Sequence, residues 1–418
     1  MKPVVALSVA LAFAAPAVHA QAPAAADPIS TLVGHLDLEK YKATIKSLTR
    51  FGDRRQGTAR NRQALDWIET QLKSYGCTNT ERLQYQYTQP APGEPAPKRA
   101  PGIPSGGAGG PPGQGGSTLF GNRIPTGVNT DPMRQPDERL RALNAEQTPV
   151  GTSLRENVYC TKVGATHPEE MYIVSAHMDG IGFGEAANDD GSGTALVMEL
   201  ARIFSMPGVE TGRSIRFILW NNEETGLNGA AAYANQRKDL QGIESPKGSG
   251  RYPEPKWLGM IQHDMMMFDH GMPFQKVDGY GKPVVDDKGQ PVFVAPPEQR
   301  LEADVNIEYQ STSKQAEGSA KLAWAFRAAN DKYATNYPAA VGFHMTNTDS
   351  TPFMDLVPSI SLRENERGQQ IGAGWNPNWH QPTDNYANYS DKDFLLGLNA
   401  AQTTLAGVAQ LAGVKVKP

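Results

Sequence analysis

Only two cysteines, Cys77 and Cys160, occur in 418 residues, which excludes a cysteine-rich metal site. No apolar run comparable to the one at the start recurs later, and that first run is too short for a bilayer-spanning helix. Charge of one sign is also missing. Forty basic and 44 acidic side chains leave a net charge of −4, which predicts no bulk attraction to nucleic acid or anionic lipid. No internal repeat is visible. What remains is globular in composition, with 39% hydrophobic and 20% charged residues.

The first twenty residues, MKPVVALSVALAFAAPAVHA, have the form of a secretory signal. Lys2 supplies the positive start, Val4 to Ala14 the apolar middle, and Val18-His19-Ala20 a small-x-small cleavage site. The expectation is an exported chain, periplasmic or secreted, with no membrane contact in its mature form. No cysteine stands near the cleavage site to carry a lipid. In an oxidising compartment Cys77 and Cys160 can pair, since each sits at the edge of a strand-like segment. The alternative is two separate buried thiols.

Residues 21–37 read as a flexible leader and 38–418 as a single domain. Two segments interrupt it. Residues at about 89–150 are rich in Pro and Gly, cannot offset the entropy cost of a packed core, and read as a surface-loop insertion with a short helix at DERLRALNAEQ. Residues at about 270–300 read as a smaller inserted hairpin. Elsewhere strand and helix signals alternate: EEMYIVSAH, then SGTALVMELARIF; SIRFILWNNEE, then LNGAAAYANQ; KWLGMIQHDM, QAEGSAKLAWAFRAANDKYA, VPSISLRE and a closing DKDFLLGLNAAQTTLAGVAQLAG. The alternation predicts an α/β fold, three layers α/β/α around a mixed, largely parallel central sheet.

Polar residues follow each apolar run: HMD, NNEE, HD and, further on, WH. In open α/β sheets ligands bind beyond the carboxyl ends of the strands, so this shared position gathers them into one site. His177 and Asp179 lie on one side of an extended segment. One can bind a metal while the other orients it. Asp189 and Asp190 follow on a turn of small residues. Glu223 and Glu224 end the next strand and diverge; Asp264 and His380 complete the set. Without metal, converging carboxylates repel; two Zn²⁺ ions among three carboxylates and two neutral histidines leave +1, which a hydroxide cancels.

The blocks SAHMDG, ANDDGSG, NNEETGLNGAAAYA, QHDM and WHQPTD together resemble the co-catalytic zinc aminopeptidases, the superfamily that also holds glutamate carboxypeptidase and glutaminyl cyclase. The resemblance runs from about Leu38 to Leu411. It implies two zinc ions per chain, His177 and Asp264 on one, Glu224 and His380 on the other, with Asp189 bridging. It implies Glu223 as the general base and Asp179 as the acid behind His177. It implies hydrolysis of the amino-terminal bond of a peptide substrate by a metal-bridging hydroxide. The late Ser-Asp-His block of the family departs here to NTDSTPF, with Ser350 where His would stand after Asp349.

Three further readings bear on the site. Asp190 is placed to cap the helix that follows. His263 with Asp269 and His270 reads as packing in preference to a local site. Glu185 reads as solvated in its Gly-rich loop. A carboxypeptidase or dipeptidase on the same scaffold would need a cation for the substrate carboxylate, with Arg363 and Arg367 as candidates. A non-catalytic binding protein with a peptidase fold would carry no zinc.

Overall fold

A computed structural model describes residues 27–77, 79–94, 128–269, 274–276, 278–289, 292–294, 303–343, 345, 348–366, 376 and 378–417. The expected signal segment lies outside the described residues. The helices are α1 (Pro28–Val33), α2 (Leu38–Thr49), α3 (Ala59–Ser74), α4 (Glu138–Leu143), α5 (Gly191–Phe204), α6 (Asn228–Arg237), α7 (Ala316–Tyr333) and α8 (Asp391–Ala412). The strands run β1 (Glu81–Gln89), β2 (Gly151–Lys162), β3 (His167–His177), β4 (Val209–Glu210), β5 (Arg213–Trp220) and β6 (Lys256–His263). They continue as β7 (Phe274–Gln275), β8 (Phe293–Val294), β9 (Ala303–Glu308), β10 (Ala339–Gly342), β11 (Ser359–Glu366) and β12 (Lys415–Val416). Among these described helices none is long and apolar enough to cross a membrane.

Eight strands form the central sheet in the order β1-β2-β5-β3-β6-β11-β9-β10. The run β5-β3-β6-β11 is parallel. β1 and β2 join antiparallel on one side, and β9 lies antiparallel to β11 on the other, with β10 parallel to β9. β7 and β8 pair as the core of the expected hairpin.

Successive side chains of a strand point to opposite faces. In β5, Ile215, Phe217 and Leu219 therefore join the core under α2, α3, α5 and α8. Ile218 and Trp220 join a second core with Tyr233 and Ala234 of α6 and with Trp257 and Phe353. Apolar cover on both faces explains why these strands read as continuous hydrophobic runs, and it yields the three layers.

Register decides where the functional residues fall. His177 is level with Trp220, Ala176 with His263, and His263 with Leu362. β3, β5 and β6 thus finish on one line, with the polar residues that follow them at the same edge, while β11 runs on past that line to Glu366.

Four expectations change. Residues 28–37 are not a flexible leader: Asp27 caps α1, whose Leu32 and Val33 enter the core, and Asp37 caps α2. The Pro/Gly-rich insertion is not wholly a surface loop, because its described end carries buried Asn129, Gln135 and Asn144. β9 and β10 were not apparent in the sequence: ADVNIE interleaves polar residues that find partners once buried, such as Asn306 donating to Glu308, and β10 (AAVG) is only four residues long. Glu185, expected to be solvated, is 6% exposed and accepts a bond from the Tyr386 N–H.

Cys77 and Cys160 form a disulfide across the β1–β2 edge, near the pair Glu81 and Tyr159. The bridge closes a loop of 83 residues, for which chain entropy gives about 4–5 kcal/mol. Replacing both cysteines by alanine should lower the unfolding free energy by about that amount, read from denaturant titration of oxidised wild type and double variant. Equal midpoints would show that the bridge contributes nothing.

Candidate metal centre

His177 closes β3, and its main-chain N–H donates to Asp190 Oδ2 at 3.1 Å. Its ring Nδ1 lies 3.0 Å from the main-chain oxygen of Asp179, while the Asp179 carboxylate stands 3.9 Å away. The orienting atom behind His177 is therefore a carbonyl. The carboxylate of Asp179 instead accepts the N–H of Glu223, tying the end of β3 to the end of β5.

Asp190 caps α5 as expected. Its Oδ1 accepts from the N–H of Gly193 at 2.8 Å and of Met265 at 3.2 Å. A single buried carboxylate thus links β3, α5 and the segment after β6. Asp189, one residue earlier, is held by Asp384, whose two oxygens accept the N–H groups of Asn188 and Asp189.

Asp189 presents one oxygen to each histidine. Oδ1 is 3.3 Å from His177 Nε2, and Oδ2 is 3.0 Å from His380 Nε2. Asp264 Oδ1 stands 3.7 Å from His177 Nε2, and Glu224 Oε2 stands 2.9 Å from His380 Nε2. One ligand atom each from His177, Asp189 and Glu224 lies within 4.8 Å of the others. The five side chains converge as two histidine–carboxylate pairs that share Asp189.

The donor set suits a divalent cation. Asp189 Oδ2, close as it is to His380, has no hydrogen-bond partner among the described residues, nor has buried Glu224 Oε1. Lone pairs left unused in a buried carboxylate cluster are costly unless a cation takes them. Imidazole nitrogen with carboxylate oxygen is zinc's ordinary coordination.

The local field tells the same story. Burial pushes the pKa of His177 down, but Glu223, Asp189, Asp264 and Asp190 reverse this and hold it well above the usual histidine value. His380 is raised likewise, burial being overcome by Glu224 and Asp189. Burial pushes Glu224 up to about 7 and Glu223 well above the usual carboxylate range, with Asp349, Glu224 and Asp264 adding repulsion at Glu223. Asp189 falls to about 2, because the two histidines outweigh its burial. Among the described residues the acids of this cluster face the two imidazoles and the guanidiniums of Arg363 and Arg54.

Arg363 lies within β11. It donates to Asp264 Oδ2 at 2.7 Å, so it holds a carboxylate of the protein and not one of a substrate. Arg367 lies outside the described residues. His263 is packed, with Nδ1 on the Ser175 carbonyl and Nε2 on Thr404 Oγ1; His270 lies outside the described residues. Ser350 bonds Ser361 within the core, and both oxygens of buried Asp349 lack a hydrogen-bond partner among the described residues.

Two residues of the site gave little signal in the sequence. Arg54 is fully buried and donates to the carbonyls of Met178, Glu185 and Ala186, pinning the loop between His177 and Asp189. Nothing in FGDRRQGT distinguishes it from a surface arginine. Asp384 stands inside WHQPTD, four residues after His380, and its partners 195 positions away could not be read from the chain.

The sequence profile described as Peptidase family M28 matches residues 157–404. Aminopeptidase YwaD of Bacillus subtilis is 42% identical over 75 residues, 18% of this chain and 16% of that protein. Carboxypeptidase Q of Xenopus laevis is 34% identical over 89 residues, 21% of this chain and 19% of that one. The matches span less than a fifth of either relative. Among solved structures, the aminopeptidase from Aneurinibacillus sp. strain AM-1 superposes with a TM-score of 0.55 at 18% identity, over 92% of this chain and 96% of that one. The zinc aminopeptidase BSAP from Bacillus subtilis gives 0.55 at 15% identity, over 92% and 97%. Porphyromonas gingivalis glutaminyl cyclase gives 0.50 at 13%, over 90% and 99%. At such identities the likeness is one of fold. The profile match, running from β2 into α8 across all five converging side chains, carries the assignment: the chain belongs to peptidase family M28, a family of metallopeptidases.

Proposed function

We propose that this chain is an exported di-zinc aminopeptidase with a single catalytic domain. The observation that carries the reading is Asp189, which offers one oxygen to His177 and the other to His380. In this reading His177, Asp264 and Asp189 hold one zinc ion, and Glu224, His380 and Asp189 hold the second. Bound zinc supplies Lewis acidity, polarising a carbonyl and lowering the pKa of water towards about 7.

The residues of the chain do the rest. Glu223 stands after β5 next to Glu224, its main chain held by Asp179, where its carboxylate can act as the proton acceptor. It takes a proton from the attacking water as the C–O bond forms, and delivers it to the departing nitrogen as the C–N bond breaks. Asp179 holds the Glu223 main chain and, through its carbonyl, the His177 ring. Arg363, engaged with Asp264, offers no support for binding a substrate carboxylate, which favours aminopeptidase over carboxypeptidase. The signal-like start and the Cys77–Cys160 disulfide support an oxidising location.

Glu223→Gln should lower kcat by about 10²–10⁴ while zinc content stays unchanged. Near-normal turnover would remove Glu223 from its role. Aminoacyl anilides with a free amine should be cleaved and their N-acetylated counterparts spared, with activity abolished by a chelator and restored by Zn²⁺. Release of carboxyl-terminal residues from N-blocked peptides would instead establish the carboxypeptidase reading.

A further inference from the structure

Four of the five converging side chains hang from regular structure. His177 ends β3, Glu224 and Asp264 follow β5 and β6 closely, and Asp189 abuts the cap of α5. His380 does not. It sits in a turn before the short segment leading to α8, with φ of 56°. Among the described residues its buried Nδ1 has no hydrogen-bond partner, whereas the Nδ1 of His177 has the Asp179 carbonyl. A metal-bound histidine ordinarily takes its orientation from an oxygen on the second ring nitrogen. His380 must take it from elsewhere.

The described end of the Pro/Gly-rich insertion provides it. The Asn129 N–H donates to the His380 carbonyl at 3.0 Å, and its side-chain Nδ2 donates to the Gly182 carbonyl at 3.1 Å. Gln135 Nε2 donates both to the Phe183 carbonyl at 2.8 Å and to the Pro382 carbonyl at 2.9 Å, bridging the two loops. Asn144 Nδ2 adds a bond to the Gly184 carbonyl. The loops are in direct contact: at Gly182, with φ of 98°, a Cβ would lie 2.5 Å from the His380 carbonyl carbon. Asn129 and Gln135 are 3% and 1% exposed; Gln135 Nε2 donates to the two loops, and Asn129 Nδ2 is shared between the Gly182 carbonyl and the Asp131 carbonyl of its own segment.

We infer that residues 129–144 form a strap whose Asn129 and Gln135 position His380 through its main chain, and thereby set the affinity of the Glu224/His380 zinc position alone. The inference rests on His380 being a ligand, as proposed above. It assigns the insertion a role in the metal centre that a surface loop would not have.

Gln135→Leu keeps the side chain's size and removes both bridging bonds. Asn129→Asp keeps the main-chain donor and turns an oxygen towards the Gly182 carbonyl. His380→Ala serves as the reference. Zinc per chain is measured by atomic emission after dialysis against buffered zinc, with circular dichroism and the unfolding midpoint of the zinc-free proteins. The expected result is two zinc ions in wild type and one retained at wild-type affinity in His380→Ala. Each strap variant should then weaken one position about 10–100-fold and spare the other. A purely structural role would shift the midpoint without separating the two zinc ions. Should His380→Ala retain two ions like wild type, the ligand reading itself falls. Should it lose one while folded strap variants keep both at wild-type affinity, or lose both together, the strap inference alone is overturned.

Discussion

Packing carboxylates side by side away from water is the constraint around which this molecule is arranged. Asp179, Asp189, Asp190, Glu224 and Asp264 lie within one pocket, and an ionised carboxylate in such a place is unfavourable by several kcal/mol unless it is paired. The sequence meets that constraint with directed donors. Asp190 accepts three main-chain N–H groups, Asp384 accepts two, and Asp179 accepts that of Glu223. These acids act as clips for the backbone. Asp189 and Glu224 keep lone pairs unused. The difference separates acids that build the site from acids that face its centre.

The same constraint accounts for the buried arginines. Arg54 satisfies its guanidinium on carbonyls alone, so its charge is left to act on the surrounding acids, among them Asp384, Asp53, Asp190 and Asp179. Arg363 is shared with Asp264 directly. Neither is disposed to receive a ligand from solution.

How much of this could be read from the chain follows from what kind of contact each feature uses. The alternation of strands and helices is a local pattern, and it gave the layers and the central parallel run. The level strand ends follow from it, since a polar tail after each apolar run marks the same edge, and the structure brings His177, Asp189, Glu224, Asp264 and His380 together there. Features built on distant main-chain contacts were not legible. Arg54, Asp384 and the Asn129–Gln135 segment bond to carbonyls and N–H groups, which every residue carries and no sequence distinguishes. Arg363 read as a free cation because its partner, Asp264, lies 99 positions away. β9 fell short because its polar residues look like loop until their burial is known, and β10 because four residues are too few to show a pattern.

The clamp from Asp384 onto Asn188 and Asp189 reaches back across 195 or more positions. The turn bearing Asp189 is thus completed by a piece of chain that leaves the ribosome long after it, and His380 arrives with that same piece. A chain truncated before residue 380, or one still emerging, has the strand ends but neither the clamp nor the last imidazole. On the ligand set proposed here, full metal loading would follow only once the C-terminal segment has docked, and would thus certify finished folding.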